Sequence, residues 1–442
     1  MEALIFKLYA ALMWLVQPLL RRKLARRALQ EPGYGVAVAE RFGHYTQAPE
    51  ARPELLWVHA VSLGETRTAA ILLDALRAAQ PGLRVLLTHG TATGRAEGAG
   101  LLQPGDVQVW QPWDSPAAVA RFFTHFQPRL GVLMETEVWP CTVAAAHQRG
   151  VPLVLANARL SEKSLQQALR LSPLALPAYA SLKLVLAQTA ADAGRFSRLG
   201  VQAQVVGNLK FDATPRADLL ACGQAWRQAL GQPVLMFASS REGEEQLFLE
   251  AFQALAHTKI AGVATNSGVP SPVPRLLVVP RHPQRFDEVV ALALQHGLSV
   301  SRRSQWPEAG PAASPAALAA DLWLGDSLSE MPLYYTLADV ALLGGSFAPL
   351  GGQNLIEAAA CACPVVMGPH TFNFADAADQ AEGAGAALRA ADMTAGLGLA
   401  LHLAEQPAEQ ARASAAATAF AASNRGATAR TVAAIQTMQG MS

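Results

Sequence analysis

The chain is short of net charge, cysteine and long unbroken apolar runs, and each shortage removes a class of protein. Only 16% of its 442 residues are charged and the formal net charge is +1. No overall field therefore draws in nucleic acid, and any anion has to be held by local groups. Hydrophobic residues make up 51%, which excludes a disordered chain. The four cysteines, Cys141, Cys222, Cys361 and Cys363, are too few and too scattered for a secreted disulfide framework. Cys361-Ala362-Cys363 also lacks the CxxC spacing of zinc and redox sites. They read as reduced thiols on a cytosolic face.

The most apolar stretch, residues 3–20, is interrupted by Lys7, Gln17 and Pro18 and barely reaches the ~20 residues of a spanning helix. It carries no small-residue cleavage site. Arg21, Arg22, Lys23, Arg26 and Arg27 follow at once, a charge placement that suits the anionic cytoplasmic leaflet. The expectation is an anchoring segment, residues 1–30, in or on the inner membrane and touching its lipids, with the rest of the chain on the cytoplasmic face. The plain alternative is an amphipathic helix packed on its own domain.

From residue 55 onward, short apolar runs alternate with longer helical stretches. Runs at 55–58, 84–88, 107–111, 130–135, 153–157, 182–188 and 205–207 read as buried strands. The alternation restarts after Phe211-Asp212-Ala213-Thr214-Pro215, with runs at 234–238, 276–279, 321–324, 340–343 and 365–367. Strands alternating with helices imply βαβ units on parallel sheets. The expected architecture is α/β: two doubly wound, Rossmann-like domains, 31–214 and 215–442, facing across a cleft. Ligands belong at the carboxyl ends of the strands. Residues 258–274 and 302–315 read as loops, and the Ala-rich tail from Phe374 as helix with short interruptions.

Chemistry-bearing residues gather at those strand ends. In Trp57-Val58-His59-Ala60-Val61-Ser62-Leu63-Gly64-Glu65-Thr66, Glu65 starts a helix whose positive end favours a carboxylate. It is either a proton acceptor or a helix-capping residue. Glu135 and Glu137 follow the next buried run, as ligand-facing acids or as a solvated turn. Lys210, between Leu209 and Phe211, closes the first domain and either reaches a ligand or is a solvated linker lysine. In the second half a strand runs into Gly344-Gly345-Ser346, and Gly351-Gly352-Gln353-Asn354 opens a helix carrying Glu357. Such glycines admit an anion to backbone N–H groups, or serve only as turns. Glu357 is placed to accept from ribose hydroxyls. Pro280-Arg281-His282-Pro283-Gln284-Arg285 offers arginines for a phosphate, and Gly325-Asp326-Ser327-Leu328-Ser329-Glu330-Met331 is a third strand-end loop.

At these residues the chain resembles the 3-deoxy-D-manno-octulosonic acid (Kdo) transferases of lipopolysaccharide synthesis. The likeness runs from the N-terminal segment through Phe374. It adds Thr91-Ala92-Thr93-Gly94, Asn157-Ala158-Arg159-Leu160-Ser161 and Met367-Gly368-Pro369-His370 to the motifs already quoted. The resemblance implies a GT-B glycosyltransferase fold and inverting transfer of Kdo from CMP-Kdo onto the lipid A precursor lipid IVA. It implies Glu65 as general base and Glu135 with Lys210 as the pair stabilising the transition state. The donor contacts it implies are Pro280, Arg281, Ser329, Glu330, Met331, Asn354, Leu355, Ile356 and Glu357, with no cofactor and no metal. The chain departs from the family pattern in having Ser329 for the usual Gly, Gln353 for His and Leu355 for Pro. The competing reading is another GT-B enzyme acting on a UDP-sugar, as a transferase or an epimerase.

Overall fold

The computed structural model describes residues 2–51, 54–262 and 274–440. Two compact units divide the chain: Met1–Asp212 with Arg425–Ser442, and Ala213–Asn424. The first carries strands β1 (Leu56–His59), β2 (Val85–His89), β3 (Val107–Trp110), β4 (Leu130–Met134), β5 (Leu153–Ala158), β6 (Leu184–Ala187) and β7 (Gln204–Val205). The second carries β8 (Val234–Ser240), β9 (Arg275–Pro280), β10 (Val300–Arg302), β11 (Leu322–Leu324), β12 (Val340–Leu343), β13 (Val365–Met367) and β14 (Ala387–Arg389). Each set forms one parallel sheet, in the orders β3-β2-β1-β4-β5-β6-β7 and β10-β11-β9-β8-β12-β13-β14.

Both faces of the first sheet are covered, which is why its strands read as unbroken apolar runs. Trp57, Leu133, Leu153 and Leu155 enter one core cluster, while Leu56, Val58, Val132 and Val154 enter the other. Four of its strand ends pass straight into helices capped by Ser or Thr. Ser62, Thr91, Ser161 and Thr189 each accept the backbone N–H three residues on. The order reverses between β1 and β4 in one sheet and between β8 and β12 in the other, so loops at those strand ends diverge and leave room for a ligand.

The structure differs from the sequence reading at several points. The second domain does not run to residue 442. Helix Ala427–Gly440 returns to the first unit, where Ala427, Val432, Ile435 and Met438 join its core. Asp212 fixes that return by accepting from the N–H groups of Gly426 and Thr428, both at 2.6 Å. Strands β10 and β14 were not expected because Val300-Ser301-Arg302 and Ala387-Leu388-Arg389 carry polar residues, whereas the equally short β11 and β13 are wholly apolar. The expected excursion at 258–274 begins as the end of helix Glu244–Gly262, and residues 263–273 lie outside the described residues.

Residues 1–30 are not a separate segment either. Helices Glu2–Leu15 and Gln17–Gln30 pack on the first unit. Phe6 and Tyr9 lie against a core cluster, and Leu24 is buried. The Tyr9 hydroxyl donates to Asp114 Oδ2 at 2.9 Å. Asp114 also accepts from the N–H groups of Cys141 and Thr142, so it caps helix Pro140–Gln148. The guanidinium of Arg21 lies 3.7 Å from the Phe42 ring centroid and that of Arg27 4.6 Å from that of Tyr34. Among the described residues no single helix is long and apolar enough to cross a membrane; Leu4–Leu15 and Gln17–Gln30, bent by 46°, meet the requirement only as a pair.

This docking has a measurable consequence. Deleting residues 1–30 uncovers apolar core and removes one donor from Asp114, so the thermal midpoint of the first unit should fall. Tyr9→Phe alone should cost about 1 kcal/mol. Calorimetry on the full chain and both variants checks this, and unchanged midpoints would show that the helices only rest on the surface.

Candidate active site

The first unit gathers its acids where β1 and β4 end. Glu65 occupies the first turn of helix Leu63–Ala79. Its backbone N–H donates to Ser62 Oγ at 3.4 Å, while its carboxylate accepts from Ser62 Oγ at 3.1 Å and from the Val61 N–H at 2.8 Å. The capping role is therefore real, and it holds the carboxylate still rather than excluding chemistry. Burial, opposed by the Val61 hydrogen bond and reinforced by the charges of Glu135 and Glu137, pushes its pKa up to about 7. Burial outweighs the favourable helix end, and the group is left able to gain or lose a proton near neutrality.

Glu135 is tuned the other way. It follows β4 in a left-handed conformation (φ 56°) and is 4% exposed. Non-glycine residues hold that conformation only where their surroundings enforce it. Lys210 Nζ donates to Glu135 Oε1 at 3.0 Å and Arg159 Nε to Oε2 at 2.8 Å. Burial resists ionisation, but the two cations outweigh it and hold the carboxyl below its ordinary range. Two carboxyls with opposed tuning in one cluster could serve as a proton acceptor and a fixed charge.

Lys210 reaches Glu135 because a polar web pins its turn. Asn157, left-handed at φ 51° and fully buried, accepts the Leu209 N–H on Oδ1 at 3.0 Å. Gln188 Nε2 donates to the Asn157 carbonyl at 2.9 Å, and Asn208 Nδ2 to Gln188 Oε1 at 3.0 Å. The turn Leu209–Asp212 is thus fastened to the ends of β5 and β6. Sequence reasoning gave Asn157 and Arg159 no role, although both stand in the quoted Asn157–Ser161 motif. Glu137, half-buried on the loop after β4, is pushed up by burial against its bond from Trp139.

The second unit holds the expected donor loops, with one change of occupant. The anion cradled by the glycine loop is the protein's own Glu244, whose side chain is fully buried. Its carboxylate accepts from the N–H groups of Gly345 at 2.7 Å, Arg241 at 3.0 Å, and Phe347 and Ala348 at 3.1 Å each. The N–H groups of Gly352 and Gln353 close the loop on the Gly345 and Gly344 carbonyls. Gly351 has φ 90°, and a Cβ there would stand 2.5 Å from the Asn373 amide, so this turn requires glycine.

Asn354 caps the short helix Leu355–Ala360 by accepting the Ile356 N–H at 3.2 Å. Leu355 and Ile356 are core side chains, each 1% exposed, so neither offers a side chain to a ligand. Glu357 is half-buried on the same helix.

Arg285 is committed elsewhere. It pairs with the buried Glu245 at 3.2 Å, which also accepts from Ser240 Oγ at 2.9 Å. Arg281 follows Pro280 at the end of β9, and its N–H donates to the Ser240 carbonyl at 3.0 Å. His282 is held below its ordinary pKa by burial and by the nearby guanidinium groups of Arg241, Arg281 and Arg285, which marks this strand end as electropositive. In the third loop, Ser329 is left-handed at φ 62°, which accounts physically for the glycine usual in the resembling family. Glu330 accepts from Arg303 at 3.1 Å and from the Ser327 hydroxyl, and Met331 starts helix Met331–Leu337. Among the described residues no group of three or more His, Cys, Asp or Glu is placed to hold a metal ion.

Residues 37–213 match the family model described as 3-deoxy-D-manno-octulosonic-acid transferase (kdotransferase). A 3-deoxy-D-manno-octulosonic acid transferase of Bordetella pertussis is 48% identical over 435 residues, covering 96% of this chain and 97% of its own. One from Haemophilus influenzae is 31% identical over 375 residues, 83% of this chain and 82% of its own. Among solved structures, a glycosyltransferase from Rickettsia africae has a TM-score of 0.55 at 13% identity, covering 87% of this chain and 98% of its own. A putative UDP-N-acetylglucosamine 2-epimerase from Listeria monocytogenes has a TM-score of 0.57 at 13% identity, covering 88% and 98%. At that identity the two structures bear on the fold alone, and the fold they share with this chain is GT-B.

Two substitutions probe the second unit. Glu244→Gln weakens four backbone hydrogen bonds to a buried carboxylate and should cost about 2–3 kcal/mol. Ser329→Gly should stabilise by about 1 kcal/mol by relieving the left-handed backbone, and Ser329→Val should destabilise. Denaturant unfolding measures both, and a neutral Glu244→Gln would show that the carboxylate does not organise the loop.

Proposed function

The chain belongs to the 3-deoxy-D-manno-octulosonic acid (Kdo) transferase family, and from that premise we propose that it transfers Kdo from CMP-Kdo to lipid IVA, with inversion, in lipopolysaccharide biosynthesis. The observation that carries the reading is the strand-end cluster in which Glu65 is held by Val61 and Ser62 while Lys210 and Arg159 clamp Glu135. The acceptor hydroxyl oxygen forms a bond to the anomeric carbon as the bond from that carbon to the CMP phosphate breaks. Glu65 takes the hydroxyl proton, and CMP leaves with the bonding electrons. The anomeric centre passes through an oxocarbenium-like state, as in glycoside hydrolysis. The fixed charges of Glu135, Lys210 and Arg159 provide a preorganised field for that state.

Donor recognition falls to the second unit. Arg281, with Arg241 and His282 beside it, suits the CMP phosphate. Glu357 suits the ribose hydroxyls, and Pro280, Asn354 and the Ser329–Glu330–Met331 turn line the same strand ends. Leu355 and Ile356 contribute by holding the helix in place, not through their side chains. No step requires a metal or cofactor.

The same proposal places the enzyme on the cytoplasmic face of the inner membrane. Leu4, Leu8, Leu12, Trp14, Leu15 and Leu19 are each more than half exposed on the N-terminal helices. Beside them, Leu19, Arg22, Lys23, Arg26 and Arg27 line a groove of about 310 Å³. An apolar stripe flanked by cations suits an anionic lipid surface.

Glu65→Gln keeps the helix cap but cannot take a proton, so kcat should fall by ~10²–10⁴ with CMP affinity unchanged. In the wild type, kcat/KM should fall as pH drops below about 7, where Glu65 becomes protonated. Arg281→Ala should weaken CMP roughly ten- to a hundred-fold, the equivalent of about 1.5–3 kcal/mol. Calorimetric titration checks both affinities, and tighter binding of UMP or UDP than of CMP would rule out a cytidine donor.

A further inference from the structure

Arg241, at the end of β8, is a half-buried cation whose guanidinium makes no ion pair and no hydrogen bond among the described residues. Arg285, from the same corner of the second unit, shows what a structural arginine there looks like. It meets Glu245 at 3.2 Å, Glu288 at 3.7 Å and Glu242 at 3.8 Å. Glu244, the fourth acid of that corner, is occupied by backbone N–H groups. The acids that stand near Arg241 in the chain are thus committed elsewhere, and its charge is left for an anion from outside.

The backbone that carries Arg241 is shaped rather than regular. Ala238 pairs with Val279 and Ser240 with Pro280, so Ser239 is an extra residue that bulges β8. Ser239 is left-handed at φ 55°, a conformation that a non-glycine residue keeps only where its surroundings enforce it. The end of β12 makes room for it with Gly344, where a Cβ would stand 2.2 Å from the Ser239 carbonyl oxygen. A bulge of one residue re-aims the side chains that follow it. The Ser240 hydroxyl is thereby brought to the buried Glu245 at 2.9 Å. The Arg241 N–H donates to Glu244 Oε2 at 3.0 Å, so the carboxylate that organises the glycine loop also fixes Arg241.

The register gives Arg241 a companion. Ser240 is paired with Pro280, and the Arg281 N–H donates to the Ser240 carbonyl at 3.0 Å. Arg241 and Arg281 are therefore the next residues on two adjacent parallel strands, whose backbones lie about 4.8 Å apart. Burial, and the charges of Arg241, Arg281 and Arg285 together, hold the His282 pKa down, so these guanidiniums share one patch. The sheet order also reverses between β8 and β12, which is where a doubly wound sheet takes its ligand.

We propose that Arg241 binds the carboxylate of the donor sugar while Arg281 takes the phosphate, so that the pair selects an acidic sugar nucleotide over a neutral one. This rests on the reading of CMP-Kdo as the donor. An octulosonic acid carries its carboxylate on the anomeric carbon, the same carbon that bears the phosphate oxygen. The two anions of the donor therefore branch from one atom, a separation that neighbouring strand ends match. Each guanidinium presents a planar fork to one oxyanion. A neutral sugar nucleotide would engage Arg281 and cover Arg241 without pairing it, and that unpaired charge is the element that discriminates.

The test is calorimetric titration of the full-length protein, without acceptor, with CMP and with CMP-Kdo. CMP has the phosphate and lacks the sugar carboxylate. Arg241→Ala should weaken CMP-Kdo roughly ten- to a hundred-fold and CMP by no more than a few-fold. Its thermal midpoint should match the wild type, because the guanidinium holds nothing in the free protein. Arg241→Lys, which keeps the charge and loses the fork, should recover part of the CMP-Kdo affinity. Arg281→Ala should weaken both ligands alike. Equal weakening of CMP and CMP-Kdo by Arg241→Ala would make Arg241 a second phosphate ligand and overturn this proposal, as would weakening of neither. Wild-type protein that binds UMP or UDP more tightly than CMP overturns instead the cytidine donor itself.

Discussion

The active-site cluster depends on one buried carboxylate, that of Glu135, being paid for by two cations. An isolated buried charge would shed its ionisation. Lys210 and Arg159, arriving from the turn after β7 and from the end of β5, prevent that. The clamp thereby fastens three separate stretches of chain at one point. Glu65 is tuned upward chiefly by its own burial, and the charge of Glu135 adds to that shift. Since Glu135 is held below its ordinary range, its stabilising contribution is present above that range and is lost as pH falls through the depressed value. Glu65 has the opposite sign: its raised pKa favours folding at low pH, and that advantage is lost as pH rises through about 7. The cluster gives up stability near neutrality, where the proposed base can still gain or lose a proton.

Much of this was legible in the order of residues. Apolar runs ending in Ser or Thr caps mark strand-to-helix passages, and every run expected in the first unit is a strand. Glu65, Glu135 and Lys210 were placed at strand ends by that pattern alone. The resemblance to Kdo transferases then gave each a role, and the 48% identical relative shows the family. What the pattern did not carry was contact across long separations. The sequence reading gave Glu244 no role, yet it organises a loop a hundred residues away. Tyr9 reads as part of an anchor, yet it bonds to Asp114. The last helix looks like the end of the second domain until Asp212 is seen holding its start.

The glycine loop shows how a motif can be read correctly in kind and wrongly in occupant. Its backbone does gather N–H groups around an anion, but that anion is Glu244. A charge supplied from within holds the loop before any donor arrives, which is why the proposed phosphate contact falls to Arg281 and its neighbours. Ser329 teaches a related point: its left-handed backbone was invisible in the sequence except as a departure from the family's glycine.

The account as a whole is tested most directly by weighing the product of one reaction. Purified full-length protein incubated with CMP-Kdo and lipid IVA should yield acceptor heavier by whole Kdo residues, with CMP released, and the Glu65→Gln protein should yield almost none in the same time. An acceptor of unchanged mass, or equal product from the Glu65→Gln protein, would contradict it.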